Sequence, residues 1–409
     1  MDTNKARKHD VIVIGSGAAG LSAALVLARA RVNVLVIDSG EPRNSPAAHM
    51  HGFVSRDGMP PQEFLESGRR EVRSYGANFE SSTVTAIDRR YEGGFDVTLA
   101  DATVHTARAL LIATGLKDQL PETPGLRPLW GSLVNHCPYC HGHEVCDQAI
   151  AVIGGLAREM SLKQAALLRR YSDRVDFISN GIQLTSIERH RLEAFGVRII
   201  DGAVSRISAE AEVSIQIELT DQRTLSYDAG FIAPVTQPSD QLLRSLGCEV
   251  DSATGLIAAD PAGQTSQPGV WAAGNVVTPS AQVITAAGAG SVSAIAINGW
   301  LLQKDLDVAA AKTRTNTNLR DGARTKPKNK PAGPPSVHVR AVITWIAIFP
   351  LVTLGFFAIA PFAAEWPPVL RAFVLSIVVV PVAVYLVVPQ LMKIHKALTS
   401  KRNQLLGKV

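Results

Sequence analysis

Two thiols separated by two residues stand in the run His136-Cys137-Pro138-Tyr139-Cys140-His141-Gly142, a spacing that lets Cys137 and Cys140 cycle between dithiol and disulfide. The thiolate is the reactive form, and histidines on both sides of such a pair favour it and can carry its protons. The same letters permit two other chemistries. Cys-x-x-Cys-His is a haem-attachment pattern, and His136, Cys137, Cys140 and His143 offer donors for a metal. The surrounding elements must decide among the three.

They begin near residue 11. Val11-Ile12-Val13-Ile14 leads into Gly15-Ser16-Gly17-Ala18-Ala19-Gly20 and then the helical pattern Leu21, Ala24, Leu25, Leu27, Ala28, which reads as strand, tight turn and helix. Gly15 permits the turn, Gly17 lets the backbone approach a pyrophosphate, and Gly20 allows close helix packing, with the positive end of the helix facing the phosphates. A second strand, Val32 to Ile37, ends at Asp38, placed to accept hydrogen bonds from a ribose. Strand, helix, second strand and terminal acid in register point to dinucleotide binding.

Leu110-Leu111-Ile112-Ala113-Thr114-Gly115 and Gly269-Val270-Trp271-Ala272-Ala273-Gly274-Asn275 resemble the two segments by which two-dinucleotide flavoproteins close their FAD domain. In the order of its motifs, residues 9 to 302 resemble the low-molecular-weight thioredoxin reductase family of FAD-dependent pyridine nucleotide-disulfide oxidoreductases. The resemblance implies an α/β fold of two Rossmann-like, three-layer ββα dinucleotide-binding domains, the second inserted in the first. Residues 1–117 and 248–311 would form the FAD-binding domain, and 118–247 an NAD(P)-type domain carrying the Cys-x-x-Cys. It further implies that Gly15 to Gly20, Asp38, Thr114, Gly115 and Gly274 hold FAD, and that Asn275 takes a place usually held by Asp at the ribityl or phosphate end. Gln282 and Val283 would run along the flavin edge, and Val84 would offer backbone contacts to adenine. Cys140 would face the flavin and Cys137 the substrate sulfur. A homodimer is the expected assembly.

Three departures from the family pattern bear on function. In the second strand-turn, Ala149 to Gly155, the third glycine expected falls on Leu156, whose Cβ would crowd a pyrophosphate. After the strand Val175 to Ser179 the family offers a His-Arg-Arg cluster to the NADPH 2′-phosphate, whereas this chain has Asn180-Gly181. Arg158 is near in sequence, and Arg169 and Arg170 fall at a helix end, where cations complement the dipole. Use of NAD(P)H is therefore an open expectation. The residue after the second cysteine is Asp in ordinary bacterial thioredoxin reductases and is His141 here, able to shuttle a proton at neutral pH. Cys-x-x-Cys-His-Gly is also the pattern of the gliotoxin-type dithiol oxidases, which pass electrons from a dithiol to FAD and on to oxygen.

Haem attachment needs an exported context, and Met1 to Asp10 is polar without an apolar core of a signal peptide. A structural zinc needs a second paired ligand set, and only Cys146 and Cys248 remain, so no metal is expected. Both read as ordinary small hydrophobes. His49 and His51 stand in a loop that lies against the flavin in family members, with His51 either a second base or a packed loop histidine.

From residue 312 the character changes. Residues 312–339 form a basic, Pro-, Asn- and Thr-rich stretch expected to be a flexible linker. Within 340–393 two uncharged apolar stretches, 341–364 and 372–392, are each long enough for a bilayer, with Glu365-Trp366-Pro367-Pro368 as the turn and Pro350 and Pro381 as tolerated kinks. This reads as a transmembrane helical hairpin followed by a basic cytoplasmic tail, 394–409. Of 41 basic and 36 acidic residues, fourteen and two lie from residue 312 onward, which leaves the body 27 and 34, a net of −7. An acidic body gives no support for nucleic-acid binding. Basic residues flank the hairpin on both sides, which places both ends in the cytoplasm. The expected function is a membrane-tethered FAD-dependent thiol-disulfide oxidoreductase leaning to dithiol oxidation, acting on a small molecule or a thioredoxin-like protein. The alternatives are an NAD(P)H-dependent disulfide reductase of thioredoxin type and a non-enzymatic flavin redox sensor.

Overall fold

The computed structural model describes residues 7–211, 214–321 and 337–359, with scattered positions between 361 and 393. The strand Arg7–Ile14 pairs in parallel with Val34–Asp38 on one side and Val104–Ile112 on the other, and Asn78–Ser81 extends the sheet past Val34–Asp38. Val270–Ala272 returns from far along the chain to pair in parallel with the end of Val104–Ile112, while the antiparallel strands Phe95–Leu99 and Val84–Arg89 branch from its beginning. Val11 and Val13 pack with Leu21, Ala24 and Leu27 of the helix Ala18–Arg29; Ile12 and Ile14 pack on the opposite face with Phe95, Val97 and Val270. Burial on both faces explains why the second half of the first strand, Val11 to Ile14, is an unbroken apolar run. Ile14, Ile37, Ile112 and Ala272 line up in register at the carboxyl edge of the sheet, where ligands of such sheets bind.

A second parallel sheet runs in the order Arg198–Ile200, Arg174–Ile178, Ala149–Ile153, Ala229–Ile232, Val134–Asn135. An antiparallel sheet, Val204–Ala211, Ser214–Leu219 and Thr224–Tyr227, covers it through Ile207, Ile215 and Ile217. The chain leaves the first sheet along Leu116–Gln119 and comes back along Val235–Pro238, and these two crossing segments pair antiparallel.

The helix Val283–Asp321 runs ten residues into the stretch read as a flexible linker. No glycine or proline interrupts the chain between Gly299 and Gly322, so nothing breaks the helical ladder there. The second unit, Thr317–Val409, contains the helix Val337–Ile359 with Pro350 inside it and a wide-turn helical segment, Val382–Val387, after Pro381. Most of the turn 365–368 and part of 372–392 lie outside the described residues. Among the described residues the one helix long and apolar enough to cross a membrane is Val283–Lys312, which belongs to the enzyme body and is partly buried there.

Candidate active site

A single cavity of about 1120 Å³ joins the first glycine turn to the cysteine pair. It touches Gly15 to Ala19, Asp38, Val84, Thr114, Gly115, Gly274, Asn275, Gln282 and Val283, together with Cys137, Cys140 and His141. Of the residues assigned to flavin or to the cysteine chemistry in the sequence, Gly20 alone does not line it. Its part is packing, because a Cβ there would sit 1.9 Å from the Gly15 carbonyl oxygen. Gly15 turns the chain at φ +101, and a side chain would meet the Ala113 carbonyl oxygen at 2.4 Å. At Gly17 a Cβ would meet nothing within 4 Å, so the backbone at the helix start borders open space. That shape fits a dinucleotide, and the volume exceeds what one ordinary small ligand needs.

Asp38 is held in place before any ribose arrives. It accepts from the backbone N–H of Ser16 and, at 2.7 Å, from that of Gly40. Arg69, from the helix Pro61–Ser74, stands 3.6 Å from Asp38 and donates to the Ser16 hydroxyl at 2.9 Å. No motif marks Arg69, which sits on an otherwise ordinary amphipathic surface helix. Thr114 donates its hydroxyl to the Ser239 carbonyl at 2.7 Å, and Ser239 N–H donates to Gly115, so the Ala-Thr-Gly segment is fastened to the returning chain.

Asn275 uses its extra donor inward. Its Nδ2 donates to the carbonyls of Thr278, Pro279 and Ala281 at 3.1, 3.1 and 2.9 Å, and three acceptors around one atom fix the amide orientation. The side chain therefore shapes the loop leading into the helix at Val283, and Oδ1 is the atom left for a ligand. Asn275→Asp would turn a carboxylate oxygen toward three carbonyls. It is expected to cost about 2 kcal/mol of stability, read by thermal or denaturant unfolding.

Cys137 and Cys140 form a disulfide with Cα atoms 5.2 Å apart, Cys137 at the start of the short helix Pro138–His141. His141 is half-buried, its Nδ1 is sealed from solvent without a hydrogen-bond partner, and burial pushes its pKa below the ordinary histidine value. Glu144 opposes that shift and His51 adds to it. His51 itself bridges two carboxylates, Nδ1 3.3 Å from Asp57 and Nε2 3.4 Å from Glu144. On the other side of the pair, His136 stacks on Trp130 with ring centres 5.7 Å apart and lies 3.3 Å from the Arg43 guanidinium. Arg43 makes a two-pronged pair with Asp118 at 2.8 Å on each prong. Burial, and after it the Arg43 charge, hold the His136 pKa down to about 4. Both histidines are therefore neutral at pH 7.

A group whose pKa is depressed on folding contributes stability that is complete above its unfolded value of about 6.5 and fades as pH falls through the folded value. For His136 the window is about pH 6.5 to 4. Unfolding midpoints followed across that window are expected to fall toward pH 4, and His136→Gln to flatten the slope. Among the described residues no group of three or more His, Cys, Asp or Glu side chains is arranged to hold a metal. Cys248 is buried and donates toward the Thr265 hydroxyl at 3.5 Å, while half-buried Cys146 lies 3.8 Å from the His143 ring.

The second glycine turn is closed. A Cβ at Gly154 or Gly155 would strike the Ser179 or Ala233 carbonyl oxygen at 2.2 or 2.5 Å. The Gly155 N–H donates to the Ser161 hydroxyl at 3.1 Å, and Asn180 spans the turn, donating to the Gly154 carbonyl at 2.7 Å and accepting from Val204 N–H at 2.9 Å. Leu156 projects into solvent. Arg158 is engaged by Glu188 at 2.6 Å, which holds the Glu188 pKa down to about 2, and Arg169 is engaged by Asp173 and the Gly196 carbonyl.

Comparison with known proteins gives a match over residues 9–290 to the family described as pyridine nucleotide-disulphide oxidoreductase, and one over 334–397 to the Y2318 C-terminal domain. The crystal structure of HlmI is 43% identical, covers 77% of this chain and all of its own, and superposes with a TM-score of 0.74. An oxidoreductase from Agrobacterium tumefaciens is 36% identical over 72% of this chain and 99% of its own, with a TM-score of 0.67. The thioredoxin reductase sirT of Leptosphaeria maculans is 27% identical over 73% of this chain and 95% of its own.

Proposed function

Because the chain belongs to the pyridine nucleotide-disulphide oxidoreductase family and is an FAD-dependent disulfide oxidoreductase, we propose that it oxidises a dithiol substrate, as a homodimer tethered to the cytoplasmic face of a membrane. The observation that carries this reading is the contrast between the two glycine turns: one borders an open cavity shared with the cysteine pair, while the other spends its N–H and carbonyl groups on Ser161 and Asn180.

A substrate thiolate attacks Sγ of Cys137, the Cys137–Cys140 bond breaks, and Cys140 leaves as a thiolate. The second substrate thiolate then attacks the substrate sulfur of this mixed disulfide, releasing the substrate disulfide and Cys137 as a thiolate. Two electrons arrive on the cysteine pair and two protons leave the substrate. His141, neutral at pH 7, accepts a proton; burial lowers its basicity, Glu144 opposes that and His51 adds to it. Bound FAD supplies a two-electron sink for the reduced pair, held by the Gly15–Gly20 turn, Asp38, Val84, Thr114, Gly115, Gly274, Asn275, Gln282 and Val283. Oxygen or a membrane quinone is the proposed final acceptor. The apolar stretches within 340–393, flanked by basic residues, support the tether and its orientation.

Oxygen uptake and quinone reduction by the purified full chain test this reading. Turnover with a small dithiol should exceed that with NADPH or NADH; faster turnover with either nicotinamide and a disulfide acceptor would establish a reductase instead, and slow turnover with every donor a sensor. The rate with a dithiol should show an acid limb below pH 6.5, and Glu144→Gln should move that limb to lower pH, because the Glu144 carboxylate raises the His141 pKa.

A further inference from the structure

Four lysine and arginine side chains line the cavity, and three of them are matched by a carboxylate on the same wall. Arg43 pairs with Asp118 at 2.8 Å, Arg69 stands 3.6 Å from Asp38, and Lys117 stands 3.9 Å from Glu41. Lys163 is the fourth, and among the described residues it has no ion-pair partner. Its place is at the cysteine end. Met160, Lys163, Gln164 and Leu167 fall at positions i, i+3, i+4 and i+7 of the helix Arg158–Leu168, the face that this helix turns to the cavity. Buried Gln164 donates through Nε2 to the carbonyl of His136 at 2.7 Å, and His136 is the residue bonded to Cys137. The unmatched cation is thus carried on a helix fastened beside the disulfide.

We infer that the substrate is a small dithiol that carries a carboxylate on an apolar body, and that Lys163 binds the carboxylate. The neighbours of Lys163 on this wall are apolar: Met160 and Leu167 on the same helix face, and Tyr139 between the two cysteines. Met160 is 53% and Tyr139 64% exposed, large apolar surface that a substrate body would cover. No protein acid has to be displaced from the cation before a carboxylate can pair with it. The oxidation itself is the one given above: both substrate thiols release their protons and two electrons pass to the Cys137–Cys140 pair. The carboxylate takes no part in that chemistry, so Lys163 is a specificity residue that acts on binding rather than on the limiting rate.

The other anions that could meet Lys163 are phosphates, and both sources fit less well. In the reading above, the FAD phosphates lie at the Gly15–Gly20 turn, at the start of the helix Ala18–Arg29, which packs on the first sheet. A nicotinamide dinucleotide would bring its pyrophosphate to the second glycine turn, where the Gly155 N–H and the Gly154 carbonyl are taken by Ser161 and Asn180. A substrate anion beside the cysteine pair remains.

The inference rests on the dithiol-oxidation reading above and adds the substrate class. Dihydrolipoate and dihydrolipoamide test both, since they share one dithiol and one carbon chain and differ by a carboxylate against a neutral amide. Anaerobic flavin bleaching by each, on the full flavin-bound chain, should show half-saturation by dihydrolipoate at a concentration roughly fivefold lower, the scale of one solvent-exposed ion pair, with similar limiting rates. Added salt should shrink the difference. Lys163→Met should abolish it and Lys163→Glu should invert it, whereas Lys117→Met, which removes a lysine already matched by Glu41, should preserve it. Bleaching by neither dithiol overturns the dithiol-oxidation reading and the substrate class with it. Bleaching by both at equal half-saturation, or a preference that survives Lys163→Met, overturns the substrate class alone. Loss of bound flavin from Lys163→Met would assign the cation to the FAD phosphates and overturn the inference.

Discussion

Cys137→Ser and Cys140→Ser should each lower turnover with a dithiol on the order of 1,000-fold or more, because each removes an atom of the bond that is broken and remade in every cycle. The two losses should differ in kind. On the proposed assignment, which puts Cys140 at the flavin and Cys137 toward the substrate, Cys137→Ser should keep the thiolate that gives a long-wavelength absorbance band with bound flavin, and Cys140→Ser should lose it. The reverse pattern would exchange the two roles. Both variants should fold, since both cysteines are only half-buried and the disulfide closes a loop too short to restrict the unfolded chain greatly.

Gly20→Val and Gly17→Val should separate folding from cofactor binding, although the two residues lie three apart in one turn. At Gly20 the first added carbon already overlaps the Gly15 carbonyl, so the helix Ala18–Arg29 must move off the strand. Unfolding stability should drop by about 3 kcal/mol or more, or the chain should fail to accumulate. At Gly17 the added atoms enter the open cavity, so stability should hold while FAD affinity falls on the order of 100-fold, about 2.7 kcal/mol. Equal stability losses in both variants would mean that Gly17 is a packing residue too.

Much of the first glycine turn could be read from the sequence because its constraints are local: Gly15, Gly17, Gly20 and Asp38 act within one strand-turn-helix-strand unit. The cysteine pair was legible for the same reason. What surrounds it was not. Arg43 and Asp118 meet across 75 positions of sequence and reach His136 from two other segments, while His51 comes to Glu144 from a distant loop. No local spacing announces such contacts. The sequence places Asn275 where the family has Asp, and Oδ1 is left for that contact; that its amide nitrogen faces three carbonyls of its own loop is visible only once that loop is folded. The linker composition from residue 312 likewise concealed a helix that continues to Asp321, since polar residues without glycine or proline do not stop one.

Anaerobic mixing of the purified full chain with one equivalent of a small dithiol, of NADPH or of NADH, while flavin absorbance is followed, tests most directly whether electrons enter through Cys137 and Cys140. The expected result is bleaching by the dithiol within a turnover time, formation of one substrate disulfide per flavin, and no fast bleaching in Cys137→Ser. Bleaching by either nicotinamide within that time, with none by the dithiol, would contradict it.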